Sequence, residues 1–79
     1  MKIVYRAFFR FREGVYKISI IKAKLIRKTE HTAKLEVVEE ILSMNATRFK
    51  PGERVSSVNP LFDNLLEAKI YVIKRFWER

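Results

Sequence analysis

The chain has 79 residues, with 17 basic and 9 acidic side chains, a net charge of +8, 48% hydrophobic residues and no cysteine. This composition predicts one ordered domain over residues 1–79, and it excludes disulfide scaffolds and thiolate metal sites. No uncharged apolar run is long enough to span a membrane, and a chain without cysteine best fits the cytoplasm.

The positive charge is unevenly distributed along the chain. Residues 1–28 contain nine basic side chains against Glu13 alone, whereas residues 29–79 contain eight of each sign. A basic segment joined to a neutral remainder predicts one surface for an anionic partner, and it points to no reaction.

The first two strands are predicted as a hairpin. Residues 3–12 alternate between an apolar set at odd positions and a mainly basic set at even positions, which is the period of a strand. Glu13-Gly14 follows as a short turn, and the second strand begins at Val15.

The second strand changes phase along its length. Its apolar residues keep one alternation up to Ile20 and the other from Ile21 onwards. The simplest explanation is a β-bulge at this step, although two shorter strands also fit. The bulge predicts that Ile18 and Ile21 are both buried while Ser19 and Lys22 are both exposed.

A third strand is predicted over 33–42, after a polar turn over 29–32. Its acidic residues Glu36, Glu39 and Glu40 are expected to face lysines of the second strand, since opposite charges on neighbouring strands stabilise a sheet.

The last part of the chain predicts a turn, a short strand and a helix. Pro51-Gly52 indicates a type II turn, which a short strand over 54–58 follows. Two helix starts compete, one capped by Asn59 with Pro60 at the first helical position and one capped by Asn64. We favour the second, with the helix running from residue 65 to about residue 77.

The helix is more apolar than one contact with a sheet requires. Its apolar side chains span about 200° of a helical wheel, against little more than about 100° for a one-sided helix. We expect a dimer or small oligomer, with Leu66, Ile70 and Trp77 at the interface.

The candidate binding surface combines cations with an aromatic ring on the first two strands. Cations neutralise phosphates, and an exposed ring stacks on bases. The alternatives are a solvated strand face with Phe8 turned into a small barrel, and a surface for an acidic protein. The expected nucleic-acid-binding residues are Arg6, Phe8, Arg10, Arg12, Lys17, Lys22 and Lys24.

Catalytic and metal sites are not predicted. His31 is the single histidine, so it assembles no ordinary metal-ligand set. Glu36 and Glu40 lie among lysines on a charged surface, which does not give a carboxyl the raised pKa of a general acid. We therefore expect no enzyme activity, no cofactor and no small-molecule substrate.

Two segments resemble known protein groups. The order of elements and the turn Lys50-Pro51-Gly52-Glu53-Arg54-Val55 resemble small SH3-like barrels, some of which, in archaea, are basic proteins that coat double-stranded DNA through a sheet face. The run from Phe62 to Ala68 resembles the end of uncharacterised β-rich proteins of phages and mobile elements. No site residue follows from either resemblance.

The predicted fold is α+β, a curled antiparallel sheet of three long strands and one short one, with the C-terminal helix packed on it. The expected function is non-catalytic nucleic-acid binding with little sequence preference. The alternative is a protein-interaction or self-assembly module of viral or mobile-element origin.

Overall fold

The computed structural model describes residues 1–78 as a curled antiparallel half-barrel sheet with one helix, which confirms the α+β class. The elements are β1 Ile3–Arg12, β2 Val15–Lys28, β3 Ala33–Met44, β4 Arg54–Ser57, β5 Leu61–Phe62 and α1 Leu65–Glu78. The strand order is β4-β3-β2-β1-β5. Within residues 1–78, α1 is too short and too polar to span a bilayer.

Both predicted turns form, and each contains a glycine with a positive φ. Glu13 and Gly14 have φ of 55° and 79°, the positive values of a type I′ turn, so Arg12 pairs directly with Val15. At the second turn Gly52 has φ of 87°, and the Glu53 amide donates to the Lys50 carbonyl at 3.1 Å. This is the type II geometry that Pro-Gly predicts.

The sheet is buried on both faces, at different places along its strands. On the face that α1 covers, called the helix face, a buried cluster forms from Ala7, Ile18, Ile20, Ala68 and Val72. On the opposite face a second buried cluster forms from Val4, Ile21, Ala23, Ala33, Leu35 and Val37. The long strands β1 and β2 contribute to both clusters.

These two clusters explain the phase change in β2, and the predicted bulge was wrong. β1 and β2 pair without interruption, with Phe8 opposite Ser19 and Arg6 opposite Ile21. Side chains of β2 therefore alternate regularly through this step. Ile18 and Ile21 are buried as predicted, but on different faces, and Ser19 is buried rather than exposed.

A register shift does occur between Ile20 and Ile21, but it involves the other neighbour of β2. Ile20 pairs with Leu42 and Ile21 pairs with Glu40, so the additional residue is Ile41 of β3. At this step the additional residue belongs to β3 and not to β2, and Lys22 is half-buried rather than exposed.

The connection into the helix is partly as predicted. Asn64 caps α1, because its Oδ1 accepts from the Glu67 amide at 2.9 Å while its Nδ2 donates to Glu67 Oε1 at 3.2 Å. Leu61 and Phe62 form the additional short strand β5 against Arg6 and Tyr5. A two-residue strand has no period for a sequence pattern to show.

Glu40 fixes the chain that follows β3. Its carboxylate accepts from the Phe49 amide at 2.9 Å and from Arg48 Nε at 2.7 Å. The Phe49 hydrogen bond lowers the pKa of Glu40 most, desolvation opposes this, and Arg48 lowers the pKa further. Glu40 lies opposite Ile21 and not a lysine, so its predicted pairing was wrong.

Glu40→Gln is expected to reduce the loss of stability in acid. The pKa of Glu40 in the folded state lies below the ordinary value of 4.5. Its ionised form therefore stabilises the fold above that value, and the contribution disappears as pH falls through the lower folded-state pKa. Urea denaturation of both proteins between about pH 7 and pH 3 measures the difference. The same pH dependence in both would contradict this role.

Candidate nucleic-acid interface

The structure divides the seven predicted binding residues between two faces of the sheet. The even-numbered residues of β1 lie on the face opposite to the helix, and Arg10 pairs directly with Lys17. Lys22 and Lys24 pair with Tyr5 and Ile3, so they lie on the helix face. The prediction of one continuous surface was therefore wrong.

Three cations remain together at the hairpin end of the opposite face. Arg10, Arg12 and Lys17 line an open depression of about 320 Å³, together with Glu13 and Val15. All three are exposed, and among residues 1–78 none of them forms an ion pair within 4 Å. We call Arg10, Arg12 and Lys17 the hairpin surface; with Glu13 the depression carries two net positive charges.

Aromatic packing on the helix face holds this hairpin in place. The Tyr16 ring lies 4.6 Å from Phe11 and 5.0 Å from Phe76 of α1, measured between ring centroids. Phe9 lies 6.1 Å from the same tyrosine. Since these rings attach one side of the hairpin to the helix, its cationic side is presented to solvent on a supported element.

Phe8 lies beside the hairpin surface and is half-buried. It borders a shallow groove together with Ser19, Ala46, Thr47 and Phe49. Part of the ring is thus packed, as the barrel interpretation requires, and part remains accessible. Phe8 and Arg10 are successive side chains on the same face of β1, so the ring lies next to the hairpin surface along the strand.

Arg6 was predicted as a binding residue, and its burial contradicts this. Its exposed fraction is 7%, its Nη2 donates to Ser19 Oγ at 3.0 Å, and its guanidinium lies 4.9 Å from the centre of the Phe49 ring. Desolvation lowers the pKa of Arg6. The arginine joins β1 to the segment after β3, a contact between distant residues that strand alternation cannot reveal.

Lysines on the helix face are matched by acidic residues, as the sequence predicted for two of the three glutamates. Glu36 lies opposite Lys24 and Glu39 opposite Lys22. Lys24 Nζ and Arg54 Nη2 approach the Glu36 carboxylate at 3.9 and 3.8 Å. This part of the sheet is a mixed surface, whose attraction for a polyanion is reduced by its own carboxylates.

The predicted interface residues of the helix are exposed. Ala68 and Val72 are buried against the sheet, whereas Leu66, Ile70 and Trp77 are exposed by 66%, 45% and 76%. Ile73, which was not predicted, is exposed by 54% and lies on the same side. We call Leu66, Ile70, Ile73 and Trp77 the helix stripe. Their spacing of four, three and four residues is the pattern in the sequence that could have assigned Ile73 to this group.

No family model matches the chain, and comparison with curated proteins and with solved structures gave no match either. Among residues 1–78, no three His, Asp or Glu side chains are grouped as a metal site would require. The geometry of the described residues therefore carries the functional inference.

Proposed function

We propose that the protein binds nucleic acid without catalysis, through the hairpin surface, and that it contacts the backbone with little sequence preference. The observation that supports this is a group of three exposed cations, none within 4 Å of a carboxylate among residues 1–78, placed on a supported hairpin beside a partly accessible phenylalanine. A cytoplasmic location is part of the proposal, because the chain contains no cysteine.

The physical basis is the release of counterions from phosphates. Arg10 and Arg12 carry planar guanidinium groups that suit phosphate oxygens, and Lys17 adds a third charge beside them. The accessible part of Phe8 offers a stacking surface for an unpaired base. These contacts position a backbone and carry no sequence information.

Base-specific recognition is not part of the proposal. The solvent side of α1 is centred on the apolar helix stripe, so apolar side chains would meet the edges of bases in a major groove. Specific recognition of bases would require polar groups at these positions.

The salt dependence of binding tests this function. Three phosphate contacts on duplex DNA predict a slope of about −3 for log K against log[salt], which weakens binding roughly 40- to 60-fold between about 50 and about 200 mM salt. Fluorescence anisotropy with labelled duplex DNA, single-stranded DNA and RNA measures this. No binding to any of the three at the lower salt, or a slope near zero, would reject the proposal.

A second candidate function is self-assembly, which the exposed helix stripe favours. Four large, exposed apolar side chains on one side of a 14-residue helix form an apolar patch, and such patches favour association.

A further inference from the structure

The helix stripe has the geometry of a two-helix seam. Its residues Leu66, Ile70, Ile73 and Trp77 lie within about 60° of one another on a wheel at 100° per residue, on the side of α1 away from buried Ala68 and Val72. The steps of four, three and four residues are those of heptad positions d, a, d and a. A sheet contact alone does not require this second stripe.

We propose that the helix stripe pairs with the helix stripe of a second copy of this chain, with the two helices antiparallel. A two-fold axis near the middle of α1 places Ile70 of one copy against Ile73 of the other, and Leu66 against Trp77. The stripe is self-complementary in this register, because each large side chain meets another apolar one.

The charges beside the stripe favour this direction over the parallel one. Glu67 and Lys74 occupy one flank, and Lys69 and Phe76 occupy the other. In an antiparallel pair, Glu67 of each copy faces Lys74 of its partner, which gives two attractive contacts. In a parallel pair, Lys69 of each copy faces Lys74 of its partner, so the two lysine–lysine contacts are both repulsive. The cap bond from Asn64 uses Glu67 Oε1, so Oε2 can accept from lysine.

The size of the interface sets the expected affinity. Two helices of this length bury less than about 1,200 Å² in total, which is the range of weak, reversible complexes. The dimer is therefore expected to dissociate in the micromolar to low-millimolar range, and it needs no nucleic acid to form.

Sedimentation equilibrium from about 10 μM to about 1 mM protein, without nucleic acid, tests the pairing. Ile70→Glu should raise the dissociation constant at least tenfold, because it places a carboxylate in the seam. Val58→Glu is the matched control, since Val58 is an exposed apolar residue outside the helix, and it should leave association unchanged. Circular dichroism verifies that both variants are folded.

The direction of pairing has its own test. Lys74→Glu should weaken association a few-fold in the antiparallel arrangement, and adding Glu67→Lys should restore it. A stronger dimer in Lys74→Glu alone would show parallel helices and overturn the proposed arrangement. A wild-type monomer at the highest concentration, or a folded Ile70→Glu variant that still associates, would overturn the pairing itself. Neither result bears on nucleic-acid binding.

Discussion

Replacing Arg10, Arg12 and Lys17 together with Gln should weaken binding to duplex DNA by about 100-fold or more at low salt, and should bring the salt slope from about −3 close to zero. The three side chains supply the charges that displace counterions, and the depression then keeps only the carboxylate of Glu13. The fold should persist, since all three residues are exposed. Fluorescence anisotropy at several salt concentrations measures both quantities.

A matched variant separates this surface from net charge alone. A triple variant with Gln in place of Lys22, Lys24 and Lys34 loses the same charge from the mixed surface on the helix face. Its affinity for duplex DNA should fall only a few-fold. Arg6→Met is a further control, because Arg6 is buried, and the affinity should stay within a few-fold of wild type. Equal losses in the two triple variants would show that the hairpin surface has no special role.

Ile20→Ala and Ile21→Ala should each lower the free energy of unfolding by about 2–5 kcal/mol. Both side chains are fully buried, Ile20 beneath the helix and Ile21 in the cluster on the opposite face. The total free energy of unfolding of a domain is about 5–15 kcal/mol, so the double variant is expected to be largely unfolded. Urea denaturation followed by circular dichroism measures each value.

The pair also tests the two-cluster description of the sheet. If the predicted bulge were present, both isoleucines would point to one side of the sheet. Both substitutions would then remove packing from a single cluster. Val58→Ala is the control, because Val58 is 77% exposed and its truncation should change stability by less than about 0.5 kcal/mol. A small effect for either isoleucine would contradict its place in a core.

Local signals in the sequence predicted most of the fold. Turn residues with defined φ requirements placed the hairpin at Glu13-Gly14 and the second turn at Gly52, and the Asn64 cap placed the helix start. Each depends on residues close together in the chain, so the sequence pattern contains the necessary information. The same holds for the exposed side of the helix, since burial of Ala68 and Val72 leaves the other side uncovered.

The candidate site was harder to predict because it depends on which face of the sheet is buried at each point. The alternation in β1 correctly grouped Arg6 with Arg10, yet one is buried and the other exposed. The segment that carries Phe49 covers Arg6 and stops before Arg10, which is a contact across 43 positions. Periodicity describes the two faces of a strand and does not show where the cover of a face ends.

The helix packs on one face of the sheet, whereas the three cations branch from the opposite face at its hairpin end, where Arg10 also borders Arg75 and Glu78 of α1. Two copies joined along their helices would therefore carry their cations on outward sides, facing away from each other. Such a dimer is bivalent for nucleic acid. It would bridge two separate segments of DNA or RNA. Cross-linking of strands at high protein concentration would follow, because each copy carries both a pairing surface and a binding surface.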